Sequence, residues 1–321
     1  MSDISVLGAG AFGTALAIAL SHHGARVTLW ARDARAVAEM TAGRVNARRL
    51  PGAPFPDALK VTGDLAAART AGTMLLAVPM QSLSALLAGV DPAPGTRLVA
   101  CCKGVDLATG LGPTGVIAAA APEGVPAVLT GPSFAKDIAR MLPTALTLAC
   151  RDAEAGVALQ HLLATPVLRL YLSRDVTGAE LGGALKNVVA LAAGISIGAG
   201  FGESARAAII TRGFAEMQRF AETTEADPDT LCGLSGLGDL TLTATSEASR
   251  NYATGLALGR GEARADGVTV EGIATAQAVE RLAAARGVAM PLTAMVSAVT
   301  RGEVSVREAA AALLARPLKE E

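Results

Sequence analysis

The sequence predicts an α/β fold, a doubly wound and mostly parallel sheet in the N-terminal part, followed by an all-helical C-terminal part. Three observations predict it. Ile4-Ser5-Val6-Leu7 runs into Gly8-Ala9-Gly10-Ala11-Phe12-Gly13 and then an apolar-periodic stretch to about Leu20, which reads as strand, glycine turn and helix. Short apolar strand patterns then alternate with helical ones as far as Ser173. From Gly178 onward no strand pattern appears, only Ala- and Leu-rich helical runs broken by Gly and Pro. The expected domains are residues 1–177 and 178–321.

The first turn has the spacing G-x-G-x-x-G. Gly8 permits a tight turn, Gly10 lets backbone approach a pyrophosphate, and Gly13 lets the helix pack close on the strand. The helix start then presents free N–H groups and the positive end of its dipole to the anion. Gly24 closes this helix, and Arg26-Val27-Thr28-Leu29-Trp30 reads as the second strand. Its end carries Ala31-Arg32 where a site for NAD would place an acidic residue. A guanidinium there can pair with the 2′-phosphate of NADP and stack on adenine, or else it is a solvated strand-end arginine.

A short helix is expected over Asp33–Met40, and the Arg- and Pro-rich stretch Arg44–Pro56 reads as a surface loop. Thr73–Val78 is a buried strand ending in Pro79, Gln81–Leu87 is helical, and Arg97–Cys102 is a strand that runs into Lys103-Gly104. Val128-Leu129-Thr130 leads into a second strand-to-helix turn, Gly131-Pro132-Ser133-Phe134-Ala135. Thr144–Cys150, the helix Ala153–Ala164 and Val167–Leu172 complete the alternation.

The chain has 321 residues and a net charge of −1, with no basic block, so nothing favours nucleic acid or a membrane surface over small-molecule work. No uninterrupted apolar run reaches the roughly 18 residues of a membrane span; Val188–Gly200 is too short and too rich in glycine. No basic segment followed by an apolar core opens the chain, which predicts a cytoplasmic protein. Cys101, Cys102, Cys150 and Cys232 lack C-x-x-C spacing, so they are expected to be buried apolar fillers, with no metal site.

Moving hydride to or from a carbonyl requires a proton donor and acceptor for the oxygen, usually histidine. His22, His23 and His161 all fall on helices of the nucleotide half, facing away from the site, so another group must carry the proton. Lys186 is the best candidate, a single cation within Gly182-Gly183-Ala184-Leu185-Lys186-Asn187-Val188-Val189. Burial disfavours a charged amine and brings its pKa toward neutrality, which suits acid-base work. Asn187 stands ready to bind substrate or orient the amine. A second cluster, Gly233-Leu234-Ser235-Gly236-Leu237-Gly238-Asp239, offers one carboxylate to fix the lysine. Thr241, Thr243, Thr245 and Ser249-Arg250-Asn251 follow, with the hydroxyl, guanidinium and amide groups that a phosphate binder requires.

At this point the chain resembles the NAD(P)-dependent glycerol-3-phosphate dehydrogenase family in its bacterial form. The matching segments run nearly end to end. They include Gly8-Ala9-Gly10 with Phe12-Gly13, Leu50-Pro51-Gly52, Ala77-Val78-Pro79, Lys103-Gly104, Gly131 to Ala135, Glu180 to Asn187, Gly236 to Leu240, Ser249 to Asn251 and Val270-Glu271-Gly272. The resemblance implies a Rossmann-like domain followed by a helical one. It also implies reversible hydride transfer between NADP(H) or NAD(H) and dihydroxyacetone phosphate, giving sn-glycerol 3-phosphate for phospholipid synthesis. On that analogy Lys186 is the general acid, supported by Asp239 and Lys103. Ser249, Arg250 and Asn251 hold the phosphate, with Asn187, Gly131 and Ser133 also on the substrate. The cofactor is expected to touch Gly8, Gly10, Ala11, Phe12, Gly13, Arg32, Arg49, Pro79, Lys103, Ala135, Arg250, Val270 and Glu271. A homodimer without stable membrane insertion is the implied assembly.

Two positions depart from the family pattern: Phe12 replaces a frequent tryptophan, and Arg49 stands where a tyrosine usually precedes Leu50-Pro51-Gly52. Both are expected near the cofactor or the crevice. The alternatives are another two-domain hydroxy-acid dehydrogenase, which would need a carboxylate clamp, and a non-catalytic NADP(H) redox sensor, which would bind without turnover.

Overall fold

Strand β1 (Ile4–Leu7) is an interior strand of an eight-stranded sheet, and all four of its residues are buried, as a strand covered on both faces requires. The computed structural model describes residues 4–262 and 270–315. They divide into two units, one falling within Met1–Asp106 and Leu111–Glu180, the other within Leu107–Gly110 and Leu181–Glu321.

In the first unit, β1 is followed by α1 (Ala11–His22), β2 (Val27–Trp30), α2 (Ala34–Gly43), β3 (Lys60–Thr62), α3 (Leu65–Ala68) and β4 (Thr73–Leu76). Then come α4 (Leu83–Val90), β5 (Arg97–Ala100), α5 (Pro113–Ala120), β6 (Val125–Thr130), α6 (Ala135–Ala139), β7 (Thr144–Cys150), α7 (Ala153–Leu163) and β8 (Leu168–Ser173). The strand order is β3-β2-β1-β4-β5-β6-β7-β8. All neighbours are parallel except β6 and β7, which run antiparallel from Ala127 opposite Cys150 to Thr130 opposite Thr147. The order reverses between β1 and β4, the place where open α/β sheets bind ligands beyond the carboxyl ends of their strands.

Alternate strand residues feed two cores. Val6, Leu29, Leu75, Val99 and Leu148 pack with Leu16 and Leu20 of α1 and Leu159 of α7. Leu7, Leu76, Leu98 and Val128 pack with Leu83 of α4 and Val116 and Ile117 of α5. Helices therefore cover both faces, as expected. The strands are shorter than the sequence pattern suggests at β4 and β5, while β6 begins three residues earlier, at Val125. Gln81 falls in a short 3-10 turn, Met80–Ser82, and the α-helix proper starts at Leu83.

In the second unit the described residues are helical, with no strand. They comprise α8 (Val176–Gly198, entering from the first unit), α9 (Gly202–Ala221), α10 (Asp239–Ala244), α11 (Arg250–Gly259), α12 (Glu271–Arg286), α13 (Pro291–Arg301) and α14 (Val306–Leu314). Among the described residues, α8 alone is long and apolar enough to cross a membrane by length and composition, yet 83% of its most apolar window is buried inside the protein. Cys101, Cys102 and Cys150 are buried as expected, but Cys232 is exposed. It ends the 3-10 turn Pro228–Cys232, directly before Gly233, and only Leu231 of that turn faces inward.

Candidate active site

The glycine turn separates into packing glycines and one that packing leaves open. Gly8 has φ +120°, and a Cβ there would lie 2.5 Å from Ala77 O. At Gly13 an added Cβ would collide with Gly8 O and come within 2.8 Å of Ala77 Cβ. Both must therefore be glycine for β1, α1 and the end of β4 to meet. Gly10 is different: its φ is −70°, and an added Cβ would meet only Ala77 O, at 4.0 Å. Among the described residues nothing crowds Gly10, so a bare main chain there fits a cradle for an approaching phosphate. The first hydrogen bond of α1 is Thr14 N to Gly10 O, 2.9 Å, so the amides up to Gly13 precede the helix ladder and suit an anion. Ala11 and Phe12 are half-buried in that first turn.

Around this turn Arg32, Arg49 and Pro79 are exposed. Arg32 directly follows the β2 end, before Asp33, which caps α2 through Arg35 N and Ala36 N. At the ends of β5 and β6, Lys103 Nζ and Ser133 Oγ both donate to Gly131 O, at 3.3 and 3.2 Å, which gathers Lys103, Gly131 and Ser133 in one place. Ala135 opens α6 just beyond. His22, His23 and His161 are all exposed.

In the second unit Lys186 is buried, 6% exposed, within the apolar stretch of α8. Its Nζ lies 3.2 Å from Asp239 Oδ1 and donates to Thr243 Oγ1 at 2.6 Å, while Thr243 Oγ1 donates to Asp239 Oδ1 at 3.2 Å. A buried cation is tolerated only when paired and hydrogen-bonded. Asp239 opens α10 directly after a single π-helical turn, Leu234–Gly238. That turn packs so tightly that a Cβ at Gly182 would lie 2.7 Å from Ser235 O, which explains the glycines on both sides.

The next residue of α8, Asn187, accepts from Asn251 Nδ2 at 2.9 Å, and Asn251 Oδ1 in turn accepts Gly272 N at 2.9 Å. Ser249 caps α11 by accepting Tyr252 N at 3.3 Å, leaving Arg250 exposed at the first position of the helix. Val270 is buried and Glu271 half-buried where α12 begins. The three threonines diverge: Thr241 and Thr245 bond to carbonyls of their own helical turns, and Thr243 alone reaches the lysine.

Comparison with known proteins decides the family. Residues 3–156 match the model of the NAD-dependent glycerol-3-phosphate dehydrogenase N-terminus, and residues 175–311 that of its C-terminus. The chain belongs to this family. It is 55% identical over 320 residues to the glycerol-3-phosphate dehydrogenase [NAD(P)+] of Ruegeria sp., covering 99% of this chain and 100% of the relative. The Cereibacter sphaeroides enzyme of the same name is 57% identical, again over 99% of this chain and 100% of its own. Among solved structures, the glycerol-3-phosphate dehydrogenase of Coxiella burnetii superposes with a TM-score of 0.94 at 37% identity, covering 98% of this chain and 99% of that one.

Within this family fold, Thr243, grouped by the sequence with the phosphate-binding side chains, instead completes the lysine's shell; its spacing of four from Asp239 on one helix face is the signal for that role. Asn46 buries its amide against the glycine turn, and no local pattern announces that.

Proposed function

We propose that the chain catalyses the reversible reduction of dihydroxyacetone phosphate to sn-glycerol 3-phosphate with NADPH or NADH. The observation that carries this reading is the buried set of Lys186, Thr243 and Asp239 in a chain whose other end holds an uncrowded Gly10. When bound, the reduced nicotinamide supplies hydride to the carbonyl carbon.

Lys186 Nζ gives a proton to the carbonyl oxygen as charge develops there, and takes it back in the reverse direction. Asp239 and Thr243 keep the amine in place. Lys103, with Gly131 and Ser133, supports the substrate oxygens. Arg250 presents a guanidinium to the substrate phosphate, and Ser249 fixes the start of its helix. Asn187 binds substrate with an amide whose oxygen is already committed to Asn251.

For the cofactor, Gly8, Gly10, Ala11, Phe12 and Gly13 form the pyrophosphate turn, Arg32 takes the adenosine end, and Arg49 lies along the cofactor. Pro79, Lys103, Ala135, Arg250, Val270 and Glu271 complete its contacts. Residues 1–177 form the cofactor domain and residues 178–321 the substrate domain of a cytoplasmic homodimer without membrane insertion, whose product feeds glycerophospholipid synthesis.

The test is to follow the near-ultraviolet absorbance of each reduced nicotinamide with purified protein and dihydroxyacetone phosphate. Oxidation dependent on that ketone is expected with both cofactors. Oxidation only with an unphosphorylated oxo acid, or binding with no turnover, would overturn the reading.

A further inference from the structure

We propose that Asn46 is a positioning residue for the cofactor's pyrophosphate, acting through the peptide that joins Ala9 to Gly10. The inference rests on the nucleotide reading of the glycine turn.

Asn46 lies in the irregular segment after α2, where Ala47, Arg48 and Arg49 are all exposed, yet Asn46 itself is only 5% exposed. Its Nδ2 donates to Ala9 O at 2.9 Å and to Thr14 Oγ1 at 2.8 Å, and its Oδ1 accepts Arg49 N at 3.2 Å. A backbone carbonyl only accepts and a backbone amide only donates, so these partners fix which end of the side chain is nitrogen. Both amide hydrogens are used, and the group has a single orientation.

A trans peptide is planar, and its C=O and N–H point in opposite directions. Holding Ala9 O toward Asn46 therefore turns the N–H of Gly10 to the other side. The following peptide is held by Thr14 N on Gly10 O, 2.9 Å, so both peptides flanking Gly10 are fixed. Thr14 links the two anchors: its amide donates to Gly10 O, and its hydroxyl accepts the second hydrogen of the Asn46 amide. Gly10 is also the turn glycine that protein packing leaves uncrowded. An amide that is aimed before the anion arrives needs no reordering on binding, which is how preorganisation raises affinity.

Anchoring the loop does not by itself call for this amide. Leu50, Ala53 and Phe55 of the same segment already bury apolar side chains in the core beneath α1 and α2. Burying a polar amide against the glycine turn adds direction rather than hydrophobic area.

Asn46→Asp is nearly isosteric; it keeps an acceptor for Arg49 N and for the Thr14 hydroxyl, and loses the donor to Ala9 O. Asn46→Ala removes the donor without adding charge. Binding is read by fluorescence titration of NADPH and NADH, with adenosine 2′-monophosphate, which has no pyrophosphate, as the comparison ligand. Both variants are expected to raise the Kd of both dinucleotides by about tenfold, roughly one lost hydrogen bond to a charged group. The Kd of adenosine 2′-monophosphate and the NADPH to NADH preference are expected to stay unchanged. Dinucleotide affinity equal to that of the unaltered protein, equal losses for all three ligands, or a loss confined to the charged variant would each overturn the proposal. A lowered Tm with unchanged dinucleotide affinity would assign Asn46 to stability alone and overturn it as well. Should the unaltered protein bind neither dinucleotide, the nucleotide reading itself fails, an outcome distinct from the others.

Discussion

The glycine turn after β1 and the crossing of α8 with α11 both depend on glycine, and comparing them separates packing from ligand binding. In the helical unit, a Cβ at Gly194 or Gly198 of α8 would strike the carbonyls of Tyr252 or Leu256, and one at Gly255 or Gly259 of α11 would strike those of Leu191 or Ile195. Every glycine of that crossing is explained by the backbone facing it. In the turn, Gly8 and Gly13 behave the same way and Gly10 does not. Within this turn, the glycine that no neighbour requires is the one the nucleotide reading sets against the pyrophosphate.

The largest effect expected from this contrast is on folding. Gly13→Ala and Gly194→Ala should each lower stability by about 3 kcal/mol or more, because backbone atoms on both sides must move. Chemical denaturation measures this, and a loss below about 1 kcal/mol would remove the distinction.

Two buried charges along α8 are handled differently. Lys186 has a carboxylate partner, whereas Glu180 accepts the N–H of Thr114, 2.6 Å away, at the start of α5. Burial therefore wins over that hydrogen bond and pushes the Glu180 carboxyl up to about 7. Between the unfolded value near 4.5 and the folded value near 7, the native state holds a proton that the unfolded chain has released. Stability contributed by this group thus falls as pH rises through that window and is level above it. Glu180→Gln should flatten the profile and stabilise the protein above about pH 7, by at most ~3 kcal/mol at ~1.4 kcal/mol per unit. Parallel profiles for the two proteins would show that the carboxyl is ionised throughout.

Gly10→Ala should leave the denaturation midpoint unchanged and weaken NADPH and NADH alike, by about tenfold or ~1.4 kcal/mol. A fall in stability as large as that of Gly13→Ala would return Gly10 to the packing class. The smallest effect is expected at the exposed Arg32: Arg32→Ala should weaken NADPH more than NADH, by a few-fold, within the ~1 kcal/mol typical of solvent-exposed charge pairs. Equal losses with both cofactors would make it a solvated strand-end residue.

What the sequence revealed follows the range of the interactions involved. β1, its turn and α1 are contiguous, and each carries its own local signature, so they were legible together. The helical character after Ser173 was legible for the same reason. β3 and α3 were not, since three or four residues are too few to establish a period. The antiparallel direction of β7 leaves no mark in its own residues, because an apolar alternation reads the same in both directions.

Among the site residues, Lys186 stood out as one charge in an apolar helix, a contrast that is local. Asn46 bonds Thr14 across 32 positions of sequence and Asn251 bonds Asn187 across 64, and neither pairing has a spacing to detect. Cys232 misled because cysteine is usually buried, whereas here it ends a turn that shows its edge to solvent.

The central claim is that the buried amine of Lys186 moves the proton. Single-turnover reduction of dihydroxyacetone phosphate by protein preloaded with NADPH, compared between the unaltered chain and Lys186→Ala, tests it most directly. The rate should fall by about 10² to 10⁴ while the Kd of NADPH stays the same. A variant that reduces the ketone at the original rate would contradict the account.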